Sequence, residues 1–238
     1  MPGINDLKVK LFADGADLAA MVEMSRRPYI GGLTTNPTLM HKAGITDYRA
    51  FAHKVLAAIP DKPISFEVFS DEFDEMHRQA LEIMSWGKNV YVKIPVTNTR
   101  AEPADDLIHK LASEGVKLNI TAMTTVAQVQ RISDALGDYA SSYVSVFAGR
   151  IADTGRDPLP IMKQSMEILR PHPTQELIWA SPRELFNVIQ ADQIGCHIIT
   201  ATTDVLKKLD LIGKDLTAYS LETVKMFYQD AKSAGFSL

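Results

Sequence analysis

Residues 90–96 read Val90-Tyr91-Val92-Lys93-Ile94-Pro95-Val96, a short apolar run with one charge at its centre. Successive side chains of an extended strand point to opposite faces, so Val90, Val92, Ile94 and Val96 share one face and Tyr91, Lys93 and Pro95 the other. An all-aliphatic face calls for a covering layer, and helical periodicity stands on both sides of the run, over 72–85 and 105–113. The unit is helix, strand, helix, with Lys93 turned away from the helices.

Outward from this stretch the unit repeats. Apolar runs at 9–13, 30–34, 64–69, 116–120, 143–147, 177–180 and 198–200 bring the candidate strands to eight. Further helical segments fall at 47–58, 125–136 and 159–169, and another, at 216–232, follows the last strand. Strands alternating with helices imply parallel pairing through right-handed crossovers. Eight such units in 238 residues predict an α/β fold of the (β/α)8 TIM-barrel type, one domain over 1–238 with an extra C-terminal helix; an open doubly wound sheet is the alternative. Gly44 and Gly137-Asp138 punctuate helix ends, and Pro28, Pro63 and Pro103 stand at element starts, where a missing N–H costs little.

Composition narrows the class. At 46% hydrophobic and 23% charged residues the chain can bury a sizeable core. A net charge of -4 offers no footprint for a phosphate polymer, so a nucleic-acid partner is not expected. The single cysteine, Cys196, reads as a buried small hydrophobe and fits a reducing compartment. His41, His53, His77, His109, His172 and His197 have no metal-ligand spacing and read as surface or capping residues; no metal is expected. The N-terminal stretch MPGINDLKVKLF is charged early and lacks a signal-like apolar run, and no segment approaches about 18 consecutive apolar residues. The expectation is a soluble cytoplasmic protein without a membrane partner.

Both faces of a strand in a parallel barrel are buried, so polar residues inside the strands need a reason. Lys93 is costly there unless it is paired or neutral, and a neutral amine is the form that attacks a carbonyl. A lysine paired to a buried carboxylate in a polar plug would satisfy the same burial. Asp14 ends the first strand, Asn36 follows the second, Glu67 lies in the third, Asn119 and Thr121 close the fifth, and Ser145 and Phe147 share a face of the sixth. Arg150 lies just beyond the sixth strand, and Ser181 and Arg183 follow the seventh. Most fall near strand C-termini, where barrel active sites are built. Singly, Asp14 could cap a helix at 16–24, residues 34–38 could be a loop and cap, and Arg150 and Arg183 could be surface ion pairs; convergence on one mouth argues for a site. No phosphate loop G-x-x-x-x-G-K-S/T, dinucleotide G-x-G-x-x-G, nucleophile elbow G-x-S-x-G or zinc motif H-E-x-x-H is present.

Three stretches, Gly32-Leu33-Thr34-Thr35-Asn36-Pro37-Thr38-Leu39, Tyr91-Val92-Lys93-Ile94-Pro95-Val96-Thr97 and Phe147-Ala148-Gly149-Arg150-Ile151, resemble motifs of the transaldolases and the related short fructose-6-phosphate aldolases. The resemblance covers nearly the whole chain. It implies transfer of a dihydroxyacetone unit from sedoheptulose 7-phosphate or fructose 6-phosphate to glyceraldehyde 3-phosphate or erythrose 4-phosphate through a lysine Schiff base, without metal or organic cofactor. By the same resemblance Lys93 is the nucleophile, Asp14 takes the C4 hydroxyl proton, and Glu67 and Thr121 hold a catalytic water. Asn36, Asn119 and Ser145 fall at positions that hydrogen-bond the dihydroxyacetone unit and Arg150 and Arg183 at the phosphate, with Thr35, Phe147 and Ser181 as further substrate-binding positions.

Glu67 and Phe147 match the transaldolases, whereas the aldolases carry Gln and Tyr there. Two positions depart from the family pattern: Gly15 stands where Thr or Ser usually follows the aspartate, and Pro182 where a bulky residue usually separates Ser from Arg. The resemblance further implies a homo-oligomer, a pentamer or decamer, with the terminal helix at 216–238 packing on a neighbour. The competing readings are a fructose-6-phosphate aldolase, a transaldolase for a sulfonated or longer-chain ketose, and a non-catalytic sugar-phosphate-binding barrel.

Overall fold

In a computed structural model, which describes residues 3–237, eight parallel strands close on themselves in sequence order. They are β1 (Lys10–Asp14), β2 (Ile30–Thr34), β3 (Ile64–Glu67), β4 (Val90–Pro95), β5 (Leu118–Met123), β6 (Ser142–Val146), β7 (Gln175–Trp179) and β8 (Ile198–Thr202), and β8 pairs back onto β1. The helices between them are α1 (Leu18–Ser25), α2 (Pro37–Lys42), α3 (Tyr48–Ala58), α4 (Phe73–Met84), α5 (Asp105–Ser113), α6 (Val126–Leu136), α7 (Ala148–Asp153), α8 (Leu159–Leu169) and α9 (Phe186–Gln193). After β8 come α10 (Thr203–Leu206) and α11 (Leu216–Ser233). The closed barrel, not the open sheet, is the fold. No helix among the described residues is long and apolar enough to cross a membrane.

Strand pleat separates two apolar layers. Val90, Val92, Ile94 and Val96 belong to the large cluster between strands and helices, together with Met76, Ala80 and Ile83 of α4 and Ile108 and Leu111 of α5. A smaller cluster of Phe12, Tyr91, Tyr143, Ile178, Ala180 and Ile198 lies on the other face. Phe12, Tyr91, Tyr143, Ile178 and Ile198 each sit two residues before Asp14, Lys93, Ser145, Ala180 and Thr200, which line the mouth, so the same pleat stacks an apolar plug beneath a polar floor. Tyr91 and Tyr143 stack at 4.0 Å, and Phe12 meets Tyr143 edge-on at 5.7 Å. Gly32 makes room for that ring: a Cβ there would stand 2.5 Å from Phe12.

Helix starts follow side-chain caps. Asp17, Asp47 and Asp215 accept the N–H of Ala20, Ala50 and Ala218, and Thr125 forms a capping box with Gln128. Asp17 rather than Asp14 caps α1, which leaves the Asp14 carboxyl for the barrel mouth. Four short helices, α2, α7, α9 and α10, have too few turns to show periodicity in the sequence.

Strand ends differ from the sequence reading for local reasons. β5 begins at Leu118 and runs past residue 120 to Met123 because Ala122 takes φ 67° and the pairing with β6 shifts there. β7 begins at the polar Gln175, whose buried amide bonds Ser133 and the Gly137 carbonyl. β3 stops at Glu67, and Phe69, expected inside the strand, is 65% exposed. His197 is half-buried rather than on the surface; its Nδ1 accepts the Leu177 N–H, and burial lowers its pKa. Cys196 is buried as expected, its thiol pushed up to about 12 by desolvation.

The tightest backbone approach joins α7 to the loop after β7. A Cβ on Gly149 would stand 1.5 Å from the Ser181 carbonyl oxygen, closer than any side chain tolerates. Gly149→Ala is therefore expected to force the two loops apart and lower the Tm by about 6–12 °C, the equivalent of about 3 kcal/mol of overpacking in a chain of this size. Calorimetry of the variant beside wild type checks this; an unchanged Tm would show that the loops yield freely.

Candidate active site

Strand register sets the floor of the site. Glu67, Lys93 and Asn119 are paired neighbours across β3, β4 and β5, and Pro95 pairs with Thr121 one rung above. On the far side Asp14 pairs with both Thr34 and Thr202. All these positions except Pro95 open into one cavity of about 500 Å³ at the C-terminal end of the barrel, a volume suited to a small metabolite.

Lys93 is 7% exposed. Its Nζ lies 3.1 Å from Glu67 Oε2 and donates to the Thr35 carbonyl at 3.2 Å. The buried amine is thus paired, but its partner is itself a cavity-lining carboxylate rather than part of a sealed plug. Glu67 is held at its backbone by Tyr48 of α3, whose hydroxyl donates to the Glu67 carbonyl at 2.7 Å and accepts the Glu67 N–H at 2.8 Å. Tyr48 packs edge-on against Phe66 and Phe69, and burial raises its pKa, so it stays a neutral hydroxyl.

Opposite Lys93, Asp14 accepts from Thr34 Oγ1 at 2.7 Å, and Thr34 in turn meets Thr200 Oγ1 at 2.6 Å. Desolvation raises the pKa of Asp14 against the lowering pull of the Lys93 charge and the Thr34 hydrogen bond. Asn36 serves two purposes: its Oδ1 caps α2 through the Leu39 N–H at 2.9 Å, while its Nδ2 faces Asp14 Oδ2 at 3.5 Å. On the third side Ser145 Oγ donates to Asn119 Oδ1 at 2.7 Å and Asn119 Nδ2 donates to Ser65 Oγ at 2.9 Å, which leaves a rigid polar wall. Thr121 lines the cavity with a buried hydroxyl that has no hydrogen-bond partner among the described residues.

Phe147 stands between β6 and α7 as the N-cap residue of the helix, and Arg150 lies over its ring at 5.7 Å. Arg183 lines the same side and is paired with Asp153. Ala122 and Ser181 both border the cavity with left-handed φ of 67° and 61°, unusual for residues with a side chain.

Of the residues expected at the site, Asp14, Asn36, Glu67, Lys93, Asn119, Thr121, Ser145, Phe147, Arg150, Ser181 and Arg183 line the cavity. Thr35 does not: its side chain is fully buried and donates to the Ser65 carbonyl at 2.8 Å, because Thr34, not Thr35, points inward in the pleat. Thr34, Thr200, Thr202 and Tyr48 were not expected. Thr34 was legible from period-2 alternation with Asn36; Tyr48 sits on a helix with no local sign that it reaches β3.

Fold and site together define a barrel enzyme whose mouth is built around a buried amine. The family model described as transaldolase/fructose-6-phosphate aldolase matches residues 11–238, and the chain belongs to that family. A probable transaldolase of Thermoanaerobacter sp. (strain X514) is 33% identical over 97% of this chain and 100% of its own. Another, from Dehalococcoides mccartyi, is 34% identical over 84% of this chain and 90% of its own. A solved structure from Burkholderia cenocepacia J2315 matches with TM-score 0.57 over 99% of this chain and 85% of that one, at 12% identity, a likeness of fold alone.

The raised pKa of Asp14 has a sign that stability can report. Between the ordinary carboxylate range and that raised value the folded protein holds a proton which the unfolded chain releases, so stability is lost as pH rises through the window. Asp14→Asn removes the titration. Its unfolding free energy relative to wild type should rise from about pH 4 upward in urea titrations, and a gap independent of pH would contradict the assignment.

Proposed function

We propose that this chain is a transaldolase acting through a Schiff base on Lys93. The observation that carries the reading is the Lys93–Glu67 pair at 3.1 Å on the floor of a cavity that also presents Asp14 and two arginines. The Lys93 amine adds to the C2 carbonyl of a ketose phosphate, and the carbinolamine loses its hydroxyl as water to give a protonated imine. Glu67 takes and returns the protons of these steps, with the unpartnered Thr121 hydroxyl available to orient a water between them.

Asp14 then removes the C4 hydroxyl proton, the C3–C4 bond breaks, and its electron pair flows into the imine to leave an enamine and a free aldose phosphate. A carboxylate whose pKa is raised by burial is a stronger base than an exposed one. Asn36, Asn119 and Ser145 face the dihydroxyacetone unit with donors and acceptors fixed by their own hydrogen bonds. Arg150 and Arg183 with Ser181 bind the phosphate, whose capture at the rim positions the reacting carbons.

Transfer rather than simple cleavage is favoured by what borders the enamine. Position 147 is Phe, and no tyrosine lines the cavity among the described residues. Without a phenol to protonate it, the enamine persists until an aldehyde acceptor arrives. The protein works in the cytoplasm on sugar phosphates.

The terminal helix supports an oligomer. α11 has no buried residue, and Leu216, Val224, Phe227 and Tyr228 are 79%, 59%, 63% and 70% exposed. We read this face as packing on a neighbouring subunit in a pentamer or decamer. Phe227→Asp should therefore shift the mass measured by light scattering toward the monomer, whereas an unchanged oligomer would exclude this residue from the contact.

The central test is borohydride reduction in the presence of fructose 6-phosphate, read by intact mass and peptide mapping. Wild type should gain a substrate-dependent adduct on Lys93 and Lys93→Ala none, with turnover reduced by at least about 10⁴-fold. An adduct on a different lysine would overturn the assignment of the nucleophile.

A further inference from the structure

α7 is only six residues long, yet it places Arg150 and Asp153 one turn apart beside the cavity rim. Across from it the loop after β7 carries Arg183. The main chain of Arg183 is fixed by its N–H donating to Asn187 Oδ1 at 2.7 Å, an oxygen that also accepts from the Glu184 N–H. Its guanidinium is fixed by Asp153, which accepts from Nε at 2.9 Å at Oδ1 and from Nη2 at Oδ2. This is a forked, two-point contact that spends the Nε edge and leaves Nη1 and its outer edge free. Arg150, by contrast, has no salt bridge among the described residues and rests on Phe147.

We propose that Asp153 is a positioning residue for phosphate recognition, holding the Arg183 fork aimed at the rim beside Arg150. The proposal rests on the reading of those two arginines as the phosphate grip. Its physical basis is a mismatch between geometry and energy. With side-chain exposures of 46% for Arg183 and 51% for Asp153, the pair is a surface ion pair and adds little to stability, yet it restrains a long side chain at two points. An arginine restrained before its ligand arrives loses less freedom on binding.

The neighbourhood supports the same use. Gly149, on α7, lies directly under the Ser181 carbonyl, so α7 and the β7 loop cannot separate without opening that contact, and the ion pair spans the same gap farther out. Two arginines opposed by one carboxylate make the rim less positive than two arginines alone. A carboxylate beside a phosphate site is repulsive unless its orienting effect outweighs its charge.

That opposition of signs makes the test decisive. Asp153→Asn makes the rim more positive, so a pure charge effect would strengthen phosphate binding, and loss of positioning would weaken it. The experiment measures steady-state kinetics with fructose 6-phosphate and with fructose as donors at a saturating concentration of glyceraldehyde 3-phosphate as acceptor, inhibition by inorganic phosphate, and Tm, for wild type, Asp153→Asn and Arg183→Gln. Positioning predicts that Asp153→Asn raises KM for fructose 6-phosphate and Ki for inorganic phosphate about tenfold each, with kcat, the kcat/KM for fructose and the Tm nearly unchanged.

A KM that stays constant or falls in Asp153→Asn, while Arg183→Gln raises it, would overturn the role of Asp153 and leave the phosphate grip standing. A parallel loss with both ketoses together with a lower Tm would make Asp153 merely structural. If neither variant changes the preference for the phosphorylated ketose, the phosphate grip itself falls, and the proposal with it.

Discussion

A charged amine buried between strands has to be met by an opposite charge from a neighbouring strand, and in this barrel one rung of strand pairing does so. Glu67 and Lys93 are direct partners across β3 and β4, so the 3.1 Å contact is set by register rather than by a flexible reach. A one-residue slip of either strand would turn one of the two side chains into the helical layer. The pair therefore depends on the closed barrel, and the barrel's polar floor is organised around the pair. Tyr48 gripping Glu67 from outside the sheet, and the Thr35 carbonyl under Lys93, hold the two ends of the same contact.

Around this centre the mouth is divided by rigidity. The Ser65–Asn119–Ser145 chain and the Thr200–Thr34–Asp14 chain satisfy one another's polar groups, so their geometry exists before any ligand binds. Strained backbone at Ala122 and Ser181 re-aims the ends of β5 and β7 where they border the cavity. The far rim is different: its arginines are long and half exposed, and their order comes from Asp153 and from the Phe147 ring.

Much of this was legible in the sequence because pleat and periodicity are local. Alternation through 90–96 places Lys93 inward, and the same parity holds in every strand that contributes to the floor. The misses share a cause, which is that tertiary partners decided them. Gln175 begins a strand because Ser133, 42 residues away, satisfies its amide. Thr35 is the exception: alternation with Asn36 already turns Thr34 rather than Thr35 inward, and the Ser65 carbonyl takes the Thr35 hydroxyl. Tyr48 on α3 and Asp153 on α7 act through residues 19 and 30 positions away, which no spacing rule reveals.

The aromatic plug beneath Lys93 carries a consequence for traffic. Phe12, Tyr91 and Tyr143 fill the barrel below the polar floor, so the cavity is a blind well. Whatever enters the well leaves again by the same mouth, at the C-terminal end of the barrel. The packed rings thereby make the rim residues, Arg150 and Arg183 among them, the border that every entering and leaving molecule crosses.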